Sequence, residues 1–149
     1  MKKLIDLFEG IRNVCTGISI KVEQLRKDNL LNEVEEGKFI ESLNGITNAI
    51  NVEENSLMYD IKKQKDFEFV ENIQGIFRLI GLYSEQIRSL AVKLVRLDKN
   101  RFGELIALAI SINNKIDYDF AGADEKDDNR TIVHKRSLGI EEIYNDVNK

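Results

Sequence analysis

The chain has 149 residues, one cysteine, one histidine, no proline, no tryptophan and a net charge of −4. A lone cysteine excludes an intramolecular disulfide and suits a reducing compartment. A lone histidine leaves a thin inventory for acid–base chemistry at neutral pH, and no run nears the ~20 apolar residues that span a bilayer. One helical domain over residues 1–149 is expected, large enough to bury roughly 70% of its unfolded surface. The abundance of Ile, Leu, Lys and Glu without proline favours helix.

Met1, Lys2, Lys3, Leu4 and Ile5 open like a secretion signal, but Asp6 and Glu9 interrupt the apolar segment such a signal needs. The protein is therefore expected in the cytoplasm, away from membranes. A first helix is predicted over Lys2 to Lys27. Leu4, Phe8, Ile11, Cys15, Ile18, Val22 and Leu25 alternate steps of four and three, an unbroken seam. Residues 30–37 are ambiguous, with Gly37 as a terminator. A second helix starts at Lys38 and carries Phe39, Leu43, Ile46 and Ile50, weakened by Gly45. Leu57 and Ile61 extend its spacing, either on the same helix or on a separate short one.

The most informative stretch is 66–98, predicted as one long central helix with Asp66 as its cap. Val70, Ile73, Phe77, Ile80, Ile87, Ala91 and Leu94 form one stripe, broken only by Ser84. Phe69, Ile76, Tyr83, Leu90 and Leu97 recur every seventh residue beside it. Two adjacent stripes make a face wider than one partner helix covers. A further helix is expected from about Arg101 to Asp119, then a polar acidic loop at 121–130, then a short helix near 138–147. Ser137 would cap that helix, with Ile140, Ile143 and Tyr144 inward. The fold class is thus all-α: an elongated up-and-down bundle of four to six helices around 66–98.

Charge alternates along the chain. Residues 1–30, 31–60, 61–101, 102–129 and 130–149 carry +2, −6, +4, −5 and +1. Antiparallel neighbours would set opposite signs side by side.

Few constellations carry chemistry. Asp117, Asp119, Gly122 and Asp128 fall at positions 1, 3, 6 and 12 of a calcium-loop pattern, but Ala121 stands where a ligand belongs. Glu33 and Glu36 match half of the paired-carboxylate motif of helical nucleotide pyrophosphatases, and no second half follows. Neither a metal nor another cofactor is expected. Arg88, Lys93, Arg96, Lys99 and Arg101 crowd the end of the long helix, where cations complement its dipole and could also meet a phosphate backbone.

Two local resemblances bear on function. Arg130 followed by His134 resembles the late Arg and His of HEPN-type ribonucleases, though only three residues intervene; it implies a phosphate-orienting arginine and a proton-transferring histidine. Glu85-Gln-Ile-Arg88, Arg101-Phe102-Gly-Glu-Leu-Ile106 and Tyr118-Asp-Phe-Ala121-Gly122 resemble the small helical subunit of type III CRISPR ribonucleoprotein complexes. That likeness implies RNA binding, through Arg88, Lys93, Arg96 and Lys99. Ala123 stands where that family has an arginine.

The leading expectation is a non-enzymatic protein–protein interaction module: an adaptor, an inhibitor or a subunit of a larger complex. Its partner is another protein or a second copy of itself, and Phe69, Ile76, Tyr83, Leu90 and Leu97 are the candidate interface. Richness in Ile, Lys and Asn hints at a bacterial or phage source and a defence or counter-defence role. RNA binding and a ribonuclease using Arg130 and His134 are the alternatives.

Overall fold

The computed structural model describes residues 1–61 and 64–149, the side chains of 52–60 excepted. Among the described residues it is all-helical, without a strand. Helix α1 spans Lys2–Lys27, α2 Glu33–Asp60, α3 Asp66–Leu94, α4 Lys99–Asn114 and α5 Asn129–Val147. A 3-10 turn, Val95–Leu97, follows α3, and a π-helix, Lys115–Phe120, continues α4.

α1 has the expected bounds, and all seven residues of its seam are buried, with Leu7 beside them. Each fully buried Leu, Ile, Val or Phe contributes roughly 1.5–3 kcal/mol. α2 starts five residues earlier than Lys38. Asn32 accepts from the Glu35 amide at 2.8 Å, and the Glu35 carboxylate accepts from the Asn32 amide at 2.9 Å. This reciprocal cap pairs two amides that would otherwise lack partners, and the helix then runs straight through Gly37. Its backbone continues to Asp60 and leads to the buried Ile61, while the Leu57 side chain lies outside the described residues.

α3 is about 44 Å long at 1.5 Å per residue. It begins with Asp66 inside the first turn rather than as its cap and ends at Leu94, not at 98. Asp98 instead caps α4, accepting from the Arg101 amide at 3.1 Å. α5 starts at Asn129, nine residues before 138, because Asp128 accepts from the Thr131 amide at 2.8 Å. Ser137 lies inside α5 and caps nothing.

α1 to α4 form a ring in which α1 packs on α2, α2 on α3, α3 on α4 and α4 on α1. The alternation of direction follows from bonds that pair early with late residues: Arg12 Nη2 to Asn51 Oδ1 at 2.7 Å, and Ser42 Oγ to Gln86 Oε1 at 3.1 Å. α5 lies outside the ring against α3 and the π-helix. α3 therefore has three helical neighbours, which accounts for the width of its apolar face. Charge alternation is realised in part: Lys21–Glu104 (2.8 Å), Arg136–Asp117 (2.5 Å) and Lys135–Asp127 (2.5 Å) each join a net-positive segment to a net-negative one.

Candidate interaction surfaces

Along α3 the seven-residue stripe does not form a free face. Phe69 and Ile76 are fully buried, and the Phe69 ring lies 5.7 Å from that of Tyr144 on α5. Tyr83 and Leu90 are partly buried against the core, and Leu97 is 49% exposed. The candidate interface Phe69, Ile76, Tyr83, Leu90 and Leu97 is corrected accordingly. Its first two members are core, and α5 covers that half of α3 through Tyr144 on Phe69 and through the bonds of Gln74 to Val133 and Ser137. Only Leu97 offers open apolar surface.

Tyr83 reveals a role for Gly45. A Cβ at Gly45 would lie 2.6 Å from the Tyr83 ring, so the ring packs directly on the α2 backbone. Ser84, the interruption in the first stripe, is buried and donates to the Gly81 carbonyl at 3.0 Å. Gln74 is also buried. Its amide nitrogen donates to the Val133 carbonyl and to Ser137 Oγ, both at 3.0 Å, and so fastens α5 to α3. In the sequence Gln74 offered no signal beyond a polar residue beside an apolar stripe.

The basic residues fall into two groups. Arg88 forms a bidentate pair with Glu85, through Nε to Oε2 at 2.8 Å and a shorter bond through Nη2, which also holds the Glu85 carboxyl below its usual range. Arg101 pairs with Asp28 at 2.8 Å. Lys93, Arg96 and Lys99 are exposed and make no ion pair among the described residues. Lys93 edges a groove of about 280 Å³ between α2 and α3, with Lys38, Glu41, Gln86 and Leu90.

At the same end of the bundle lies a shallow cleft of about 450 Å³, framed by the α1–α2 turn and the 3-10 turn. Leu30, Leu97, Asn29 and Glu35 line it, together with Arg26. Asn29 turns the chain there with a left-handed φ of 61°, a conformation asparagine tolerates better than most residues. The Arg26 Nε is buried and has no hydrogen-bond partner among the described residues. A buried donor in that state costs roughly 1–3 kcal/mol.

Arg130 and His134 are both exposed on α5, one helical turn apart. Asp117 is paired with Arg136 and Asp128 caps α5, so both are engaged within the fold rather than converging as calcium ligands. Among the described residues no group of three or more His, Cys, Asp or Glu side chains is placed to hold a metal ion. Cys15 is buried in the α1 seam, and burial pushes its thiol up to about 11, far from the thiolate that reactivity needs. Among the described residues no helix is long and apolar enough to cross a membrane. Compared with known proteins, the chain matches no family model, no curated protein and no solved structure.

Proposed function

We propose that this protein is a non-enzymatic interaction module that docks another protein with the end of its bundle formed by the α1–α2 turn and the 3-10 turn. One observation carries it: the half-exposed Leu97 and the partly exposed Leu30 share an open cleft with Arg26. A partner that brings a carboxylate and one apolar side chain would meet the guanidinium and cover the leucine in a single contact. A small adaptor, inhibitor or complex subunit in the cytoplasm of a bacterial or phage-infected cell fits this chemistry.

The test is capture from the native host with the wild-type chain and with Arg26→Met and Leu97→Asp, each checked for an unchanged melting temperature. The expected result is a protein recovered by the wild type and lost by both variants. A wild-type chain that is monomeric by light scattering and recovers nothing ends the proposal, as does a partner retained by both variants.

RNA binding is the second reading, favoured by the exposed Lys93, Arg96 and Lys99, which no carboxylate neutralises among the described residues. Neutralising phosphates with three such cations would make retention fall with salt, with a log–log slope of about −2 for single strands. Retention of RNA that disappears in a Lys93→Ala, Arg96→Ala, Lys99→Ala variant supports this reading. Equal retention by both chains removes it.

A further inference from the structure

A different region carries an inference independent of the docking end. The start of α1 and the π-helix enclose a cleft of about 250 Å³, lined by Lys3, Asp6, Leu7, Gly10, Lys115, Asp119 and Phe120. The π-helix explains how its wall is built. Its turn closes on the fifth residue, as in the Ala121 amide to the Ile116 carbonyl at 3.0 Å, so each turn is wider than in an α-helix. Residues four apart fall on one side, as they do in an α-helix. Ile116 and Phe120 share the buried side, and Lys115 and Asp119 share the side facing α1. On the other wall, Lys3, Asp6 and Gly10 are spaced three and four apart and lie on one face of α1.

Each wall therefore presents one ammonium and one carboxylate. Elsewhere charged side chains that face one another across elements do pair, as in Lys21–Glu104, Arg101–Asp28 and Arg136–Asp117. Among the described residues, none of Lys3, Asp6, Lys115 and Asp119 forms an ion pair. Lys3 Nζ instead sits 5.1 Å above the Phe120 ring, and Lys115 lies over Gly10, where a Cβ would be 3.8 Å from its Nζ. The result is two cations and two anions, unpaired, around an apolar floor of Leu7 and Phe120.

We propose that this cleft binds a small zwitterion of amino-acid size. Lys115, over Gly10, would take its carboxylate, and Asp6 and Asp119, further along the cleft, its ammonium, with Lys3 closing the far end over Phe120. A simple anion would meet two carboxylates and a simple cation two ammoniums, so only a molecule carrying both charges is matched throughout. The volume equals roughly eight waters of liquid and falls below the ~300–1,000 Å³ typical of drug-sized sites, which suits a molecule of amino-acid size.

The experiment is an amide-resolved NMR titration of the full chain with glycine, L-alanine, L-aspartate and L-lysine, with acetate and methylammonium as single-charge probes. Saturable shifts at Gly10 and Phe120 with at least one zwitterion, and none with either single-charge probe at the same concentration, are expected. Lys115→Met and Asp119→Asn should each weaken that binding by about tenfold or more, the loss of one charge-assisted hydrogen bond. Asp6→Asn serves as the third variant should either of the others melt early. Absence of saturable binding by all four zwitterions, equal binding of acetate, or unchanged affinity in the variants overturns the proposal.

Discussion

Along α3, the residues Ile73, Phe77, Ile80, Ser84, Ile87 and Ala91 are buried throughout, whereas Phe69, Ile76, Tyr83, Leu90 and Leu97 pass from fully buried to half exposed. The difference lies in where each stripe sits around the helix and in what covers it. The first set also repeats by sevens, as Ile73, Ile80 and Ile87 and as Phe77, Ser84 and Ala91, but it starts at the centre of the buried face. The second repeats strictly every seven residues, and a straight helix turns such a repeat by about 20° per heptad. The three heptads inside α3, Phe69 to Leu90, rotate it by about 60° toward the flank, and Leu97 lies beyond the helix in the 3-10 turn. Coverage by α5, which reaches Phe69 through Tyr144 but not Leu97, deepens the contrast. A seven-residue repeat in one straight helix is therefore not by itself a second docking face.

Alanine scanning down the two stripes is the sharpest way to break this comparison. Phe69→Ala should cost about 3–5 kcal/mol and Ile76→Ala about 2–5 kcal/mol, while Leu97→Ala should stay within about 0.5 kcal/mol. Urea melts measure all three. Equal costs along the stripe would mean that Leu97 is covered in solution and that the drift has no energetic consequence.

Tyr83 marks the middle of the drift, where the stripe leaves the core for the α2 backbone. Gly45→Ala should destabilise by about 1–3 kcal/mol through overpacking, against a helix-propensity gain of about 1 kcal/mol. In a double-mutant cycle with Tyr83→Ala, much of that cost should vanish, because the Cβ would no longer meet the ring at 2.6 Å. A Gly45→Ala chain more stable than the wild type would show that the ring moves aside freely.

Two helix starts sharpen the contrast between local and distant effects. Asn32→Ala should cost about 1 kcal/mol by removing the reciprocal cap of α2, and circular dichroism melts report it. The smallest effect lies at the start of α5. The Asp124 amide, then Lys135, hold the Asp127 carboxyl below its ordinary range, and the Thr131 amide does the same for Asp128. A carboxyl whose folded pKa lies below its unfolded value of about 3.9 adds stability above that value and loses it as pH falls through the folded pKa. Amide protection at Thr131 and Ile132 should therefore decline below about pH 4 while that of α1 holds. Parallel loss in both helices would assign the acid response to global unfolding instead.

Much of the bundle was legible before any coordinates. The α1 bounds, the inward set of α1 and most of that of α3 follow from spacing alone. Two helix starts are hidden because glycine and serine outweigh short polar motifs: Gly37 reads as the end of a segment that Asn32 and Glu35 in fact open, and Ser137 competes with Asp128 as the cap of α5. The π-helix had no local signature, since Ile112, Ile116 and Phe120 also fit an α-helical stripe. Of the candidate interface residues, only Leu97 survives as accessible apolar surface, and of the cations Arg88 is already paired with Glu85.

By itself the sequence determined that this is an all-α bundle and which side of each long helix turns inward, because those follow from a period every residue shares with its own turn. Only the tertiary structure decided which half of α3 is covered, that Gly45 admits the Tyr83 ring, and that four charges without an ion pair among the described residues gather at the π-helix. Those features depend on which helices become neighbours, and neighbours are chosen by the whole packing rather than by any one stretch of chain.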